Sequence, residues 1–176
     1  SSGLSGTFNS ARIAAKELSA KYPNRKIVTI DSLCASMGQG LLVYKALEKK
    51  NQGASFEQLE EFVLQSRSHV IHVFTVDDLM HLHRGGRVSK ASAIAGTLIG
   101  IKPMLRVNDE GKLEPTGKVR GRKQSLNQMV ENMSKCVRDY KNDFFMLSHG
   151  DCPQDAQYVV QLVKRHFNIE NYMINN

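Results

Sequence analysis

Short apolar runs alternate with segments of helical period along this chain, and that alternation limits the fold more than any other feature. Phe8, Ala11, Ala15, Leu18 and Tyr22 recur at helical spacing, which predicts a helix from about Gly6 to Lys21, broken by Tyr22-Pro23-Asn24. Lys26 to Ile30, with one valine and two isoleucines, reads as a short strand that Asp31-Ser32 ends. Ala35 to Lys50 reads as the next helix, stopped by Asn51-Gln52-Gly53. Ser55 suits the N-cap of a third, with Glu57 and Glu60 near its positive end and Phe56, Leu59, Phe62 and Val63 as its apolar face. His69 to Val76 is apolar at nearly every second position and is predicted as a strand. A strand-helix-strand order of this kind argues for a parallel sheet with helices on its faces.

The stretch from Phe74 to Pro103 joins this half to a different one. After the strand, an oxygen of Asp77 or Asp78 can accept the unpaired N–H groups of a short helix. Leu79 and Leu82 share its inner face, and Gly85-Gly86 end it. Arg84 and Arg87 flank that stop. Ser89 to Leu98 reads as a second, nearly uncharged helix that is buried or lines an apolar cavity. Ile101 to Val107, the turn Asn108-Asp109-Glu110-Gly111 and Lys112 to Lys118 have hairpin chemistry. Two further helices follow, Ser125 to Tyr140 and Pro153 to His166, with strands at Phe144 to Leu147 and from Tyr172. The expectation is an α/β protein of two α/β lobes. Residues 1–78 form the first, with a parallel sheet flanked by helices; residues 79–176 form the second, a mixed sheet with a hairpin and helices.

Composition sets outer limits. A chain of 176 residues with 41% hydrophobic residues can bury one good core or two small ones. No apolar run is long enough to cross a membrane, and nothing resembles a signal peptide. Cys34, Cys136 and Cys152 are far apart, form no Cys-x-x-Cys, and read as reduced thiols of a cytoplasmic protein. The net charge of +7 is scattered except around Lys118 to Lys123, and tryptophan is absent. Neither a dense basic stripe nor aromatics interleaved with basic residues for stacking bases is present, which argues against nucleic acid. A solvated basic face accounts for the charge, and transient contact with an anionic membrane surface is compatible with it. His69-x-x-His72 and His81-x-His83 lack a carboxylate or cysteine at supporting spacing, so no metal is expected.

Ser1-Ser2-Gly3-Leu4-Ser5-Gly6-Thr7 has the physics of an anion site: serine donors, glycines that admit a ligand to the backbone, and a helix start behind them. The spacing is not that of a phosphate-binding P-loop. Ser5 can equally be a plain N-cap with nothing bound.

These pieces in register, namely the serine loop, Asp31-Ser32, the stretch around Gly85-Gly86-Arg87 and Lys118-Val119-Arg120-Gly121, resemble the DegV family along the whole chain. That bacterial fatty-acid-binding family includes the FakB subunit of fatty acid kinase. The resemblance implies that Ser5 hydrogen-bonds a fatty acid carboxylate, with Ser1, Ser2 and Gly6 beside it. It implies that Arg87 and Arg120 serve the acyl phosphate or the kinase contact. Ile94, Ala95, Leu98 and Ile99 are the expected lining of the slot for the tail, with ordinary core packing as the other reading. The implied ligand is a long-chain fatty acid, the implied partner an ATP-dependent kinase subunit, and no cofactor or catalytic residue is expected. The family's other carboxylate-binding threonine and its ligand-site histidine lie outside this window, so the chain is expected to be an internal fragment holding part of the site. Two rivals stand beside the kinase-linked carrier: a carrier or sensor with no kinase, and an enzyme acting on a small anionic substrate in the same cleft.

Overall fold

The computed structural model describes residues 1–90, 100–137 and 144–176. Its most local element is the hairpin of β2 (Ile101–Val107) and β3 (Leu113–Arg120). Asn108 builds the turn: its Oδ1 accepts from the amides of Glu110 (3.1 Å) and Lys112 (2.9 Å). Gly111, at φ +72°, closes it in a backbone region that side chains disfavour. β1 (Val73–Thr75) adds antiparallel to β2, giving a three-stranded sheet in the order β1-β2-β3. β2 is the centre of that sheet, and its Met104 and Leu105 are only 2% exposed.

β4 (Phe144–Ser148) and β5 (Asn171–Asn175) pair in parallel. A parallel pair needs a crossover, and α6 (Pro153–Phe167) supplies it. Pro153 sits in the first turn, where its missing N–H costs nothing, and Asn168 takes the left-handed conformation that ends the helix. Ala156, Val159, Val160, Val163 and Phe167 recur at helical spacing and all are buried. They pack with Phe145 of β4 and with Leu126 and Val130 of α5 (Arg122–Cys136) into the largest core cluster.

The remaining helices are α1 (Thr7–Lys21), α2 (Ser36–Asn51), α3 (Phe56–Ser66) and α4 (Leu79–Arg84), with a 3₁₀ turn over Arg67–His69. α3 opens with a capping box: Ser55 Oγ accepts from the Gln58 amide, and Gln58 Oε1 accepts from the Ser55 amide. Asp78, not Asp77, caps α4, through the Met80 amide at 2.8 Å. No described helix is long and apolar enough to cross a membrane.

The class is α/β with an antiparallel and a parallel sheet, as expected, but strand pairing falls elsewhere than the alternation suggests. Lys26 to Ile30 lies in no sheet, and Val28 is 44% exposed. A β-branched run becomes a strand only beside a hydrogen-bonding partner, and no described residue supplies one. The run His69–Val76 contributes three residues to a sheet, and its partner β2 runs antiparallel to it. The parallel pairing belongs to β4 and β5. α1 is helical where its period requires, yet none of its residues is buried. The predicted helix Ser89 to Leu98 and the last turn of the predicted helix ending at Tyr140 fall largely outside the described residues.

Candidate functional site

A cavity of about 1440 Å³ opens among α2, β1, β4 and α5. That exceeds the roughly 300–1,000 Å³ of ordinary small-molecule pockets. Leu41 and Leu42 of α2, Met129 and Met133 of α5 and Phe144 of β4 give it long apolar walls. Several of its polar groups lie near the β4 end. Ser36 Oγ, at the start of α2, lies 2.9 Å from Ser148 Oγ, at the end of β4. Arg122 Nε donates to Asp155 Oδ2 at 2.7 Å, and Lys102 Nζ donates to Asp77 Oδ1 at 2.6 Å. Burial works against the Arg122 charge, but the Asp155 and Asp77 carboxylates outweigh it and raise its pKa. The Lys102 ammonium, then Arg122, holds the Asp77 carboxyl below its usual range. This end of the cavity therefore carries balanced, paired charge.

The serine loop lies against this cavity. Leu4 lines it; Ser5, next in the chain, is exposed, with its Oγ donating to Thr7 Oγ1 at 3.0 Å. Gly6, not Ser5, occupies the cap position of α1, and Ser5 Oγ accepts weakly from the Thr7 amide at 3.3 Å. A Cβ on Gly6 would meet nothing within 4 Å, so the loop is open there. The other two hydroxyls hold the loop in place. Ser1 Oγ donates to Gly111 O at 2.8 Å, tying the loop to the β2–β3 turn. Ser2 donates to Asp31 through both its hydroxyl and its amide, the latter at 3.0 Å. Burial raises the Asp31 carboxyl, but these hydrogen bonds and one from the Leu33 amide leave it below the ordinary value. Asp31 is thus an ionised anchor for the loop.

Arg87 is exposed and reaches back to the same loop, with Nε donating to Leu4 O at 3.1 Å and a terminal nitrogen donating to Gly85 O. The Gly-Gly-Arg turn and the serine loop, 83 residues apart in sequence, are therefore in contact. Arg120 is exposed at the end of β3, opposite Ile101. Ile94, Ala95, Leu98 and Ile99 lie outside the described residues.

His72, Ser36, Ser148 and the Arg122–Asp155 pair are cavity residues that the sequence did not single out for this role. His72 Nε2 accepts from the Ala35 amide at 3.2 Å and its Nδ1 lies 3.1 Å from Val70 O, which places the proton on Nδ1. Desolvation holds this imidazole below its ordinary value of 6.5. An unfolded chain takes up a proton as pH falls through 6.5, while the folded ring stays neutral to lower pH. Stability is then complete above pH 6.5 and lost as pH falls through the folded value. Thermal melts from about pH 7.5 to about pH 5 are expected to show a falling midpoint; a flat profile would contradict this environment for His72.

The fold and site together define an α/β protein with a long, largely apolar cavity beside a hydroxyl-rich loop. The profile of the DegV family, described as an uncharacterised protein family, matches residues 1–176. A DegV domain-containing protein of Clostridium perfringens is 39% identical over 175 residues, 99% of this chain and 60% of the relative. A DegV family protein of Ruminococcus gnavus, solved with vaccenic acid, is 26% identical with a TM-score of 0.91, covering 99% of this chain and 62% of that one. The fatty acid kinase B3 protein of Streptococcus pneumoniae, solved loaded with linoleic acid, is 27% identical with a TM-score of 0.87, covering 97% of this chain and 60% of that one. The chain thus spans 60% or less of the length of the curated relatives it matches. It belongs to the DegV family.

Proposed function

We propose that the protein is a carrier, not a catalyst, that binds a long-chain fatty acid with its carboxylate at Ser5 and its acyl tail in the cavity. The observation that carries this reading is the apolar cavity of about 1440 Å³ with Leu4 of the serine loop in its wall. Each methylene buried there contributes about 0.8 kcal/mol, so about ten contribute on the order of 8 kcal/mol before the cost of association. The tail supplies most of the affinity, and the head contributes less affinity but fixes position. Ser1 and Ser2 act by bracing the loop, Gly6 by leaving the approach to it open, and Arg87 by fixing Leu4 beside Ser5. The fatty acids in the solved DegV relatives support this choice of ligand. An enzyme for a small polar anion is a poor match, because Arg122, Asp155 and Asp77 at the cavity are already in ion pairs and its longest walls are hydrocarbon.

The reading extends to a separate ATP-dependent kinase that forms the acyl phosphate, with Arg120 at the kinase contact and Arg87 near the head group. The fatty acid kinase relative supports this step. The tail would then lie between the two lobes, 1–78 and 79–176, its slot drawing on Leu41 and Leu42 of the first and on Met129 and Met133 of the second. Replacing Ser5 by alanine removes a hydrogen bond to a charged group, about 1.5–3 kcal/mol. A competition titration should show affinity lower by roughly tenfold to a hundredfold; unchanged affinity would take Ser5 out of the site. Arg120→Ala should leave fatty acid affinity unchanged and slow acyl phosphate formation in the presence of the kinase. Equal turnover would remove Arg120 from the contact.

A further inference from the structure

Four of the seven methionines of the chain, Met37, Met129, Met133 and Met146, line the one large cavity found among the described residues. They come from three elements, α2, α5 and β4, and so surround the space from different sides. None of the four is fully buried, whereas Met104 in the sheet core is 2% exposed. Met129 and Met133 stand one helical turn apart, with the main core cluster behind them. Met37 and Met146 converge at Gly40: a Cβ there would lie 3.6 Å from one sulfur and 3.4 Å from the other. Both side chains thus border a strip of bare helix backbone.

Methionine is unbranched, has three rotatable bonds and fills irregular space with little preference of shape. A wall of valine or isoleucine would hold one contour, because β-branching fixes χ1. Flexible, methionine-rich surfaces are the usual device of binders that accept several partners. The cavity also has more room than an ordinary ligand pocket, so a tail can follow more than one course.

We propose, resting on the carrier reading above, that this methionine wall makes the pocket tolerant of tail shape. Straight saturated chains and cis-kinked unsaturated chains of equal carbon number bind with similar affinity, because Met37, Met129, Met133 and Met146 repack around each. The test is a competition titration of the full chain with octadecanoic acid and with its cis-9 mono-unsaturated counterpart. The expected affinities differ by less than about fivefold. A larger difference, or binding of one acid alone, overturns tolerance and leaves the carrier reading intact. Binding of neither acid overturns both. In the double variant Met37→Ile with Met133→Ile, the two acids should separate to about tenfold or more, while Met173→Ile, on exposed β5, should leave the ratio unchanged. An unchanged ratio in the double variant overturns the role of the methionines. A measurement on the unaltered protein stands beside the variants. With ε-methyl-labelled methionine, the two acids should shift cavity methyl resonances to different positions and leave that of Met104 in place. Identical spectra with the two acids overturn the repacking.

Discussion

Replacing Gly38 by alanine is expected to lower the thermal midpoint by roughly 5–10 °C, although alanine is the better helix former. Helix propensity alone would favour the variant by about 1 kcal/mol. The opposing term is steric. A Cβ at Gly38 would stand 1.9 Å from His72 Nε2 and 2.6 Å from its Cδ2. The ring cannot swing aside without cost, since it joins the Ala35 amide to the Val70 carbonyl. Overpacking of this kind costs typically about 1–3 kcal/mol, and each buried group left unpaired costs a similar amount. The backbone nearby has little slack, because Leu33 and Ser36 already sit at φ +55° and +45°. Steric cost therefore exceeds propensity by about 2–3 kcal/mol, at about 2–4 °C per kcal/mol for a chain of this size. A circular dichroism melt reads the result, and an unchanged or higher midpoint would contradict the His72 contact.

Phe145→Ala is expected to cost more, about 3–5 kcal/mol, and to lower the midpoint by roughly 10–15 °C. Phe145 is 7% exposed and belongs to the cluster that holds α5 and α6 to β4. Its ring also stacks on Tyr172 of the parallel partner strand, with centroids 5.5 Å apart. Truncation leaves a void facing both helices, and close-packed surroundings fill such a void only in part. Tyr172→Ala removes the same stacking pair from the exposed side, where Tyr172 keeps 37% of its surface, and should cost much less. Chemical denaturation of the two variants reads the difference. Equal losses would place the weight of the interaction at the surface.

What the sequence reveals follows how local each feature is. α6 was legible because its buried positions, from Ala156 to Val163, follow one period and its ends carry their own signals, Pro153 and Asn168. The β2–β3 hairpin was legible because Asn108 and Gly111 define its turn within four residues. Lys26 to Ile30 misled because β propensity names a conformation and not a partner. The antiparallel pairing of Val73–Thr75 with Met104–Arg106 was hidden for the same reason, since about thirty residues separate the two strands. At the site, the serine loop announced its donors, but not which were spent on the protein. Ser1 reaches Gly111 across 110 residues, and Ser2 reaches Asp31 across 29. Folding sends Ser1 and Ser2 to distant partners and leaves Ser5 exposed, its hydroxyl bonded among the described residues only to nearby Thr7. The inward face of α5 carried Met129 and Met133 in plain view, yet the period does not say whether an inward residue meets core or cavity.

The most direct measurement of what this molecule holds is mass spectrometry of solvent extracts from the denatured protein after purification from a bacterial host. A long-chain fatty acid is expected in amounts close to one per folded chain. Extracts empty of fatty acid while the protein is folded, or carrying a small polar anion in its place, would contradict it.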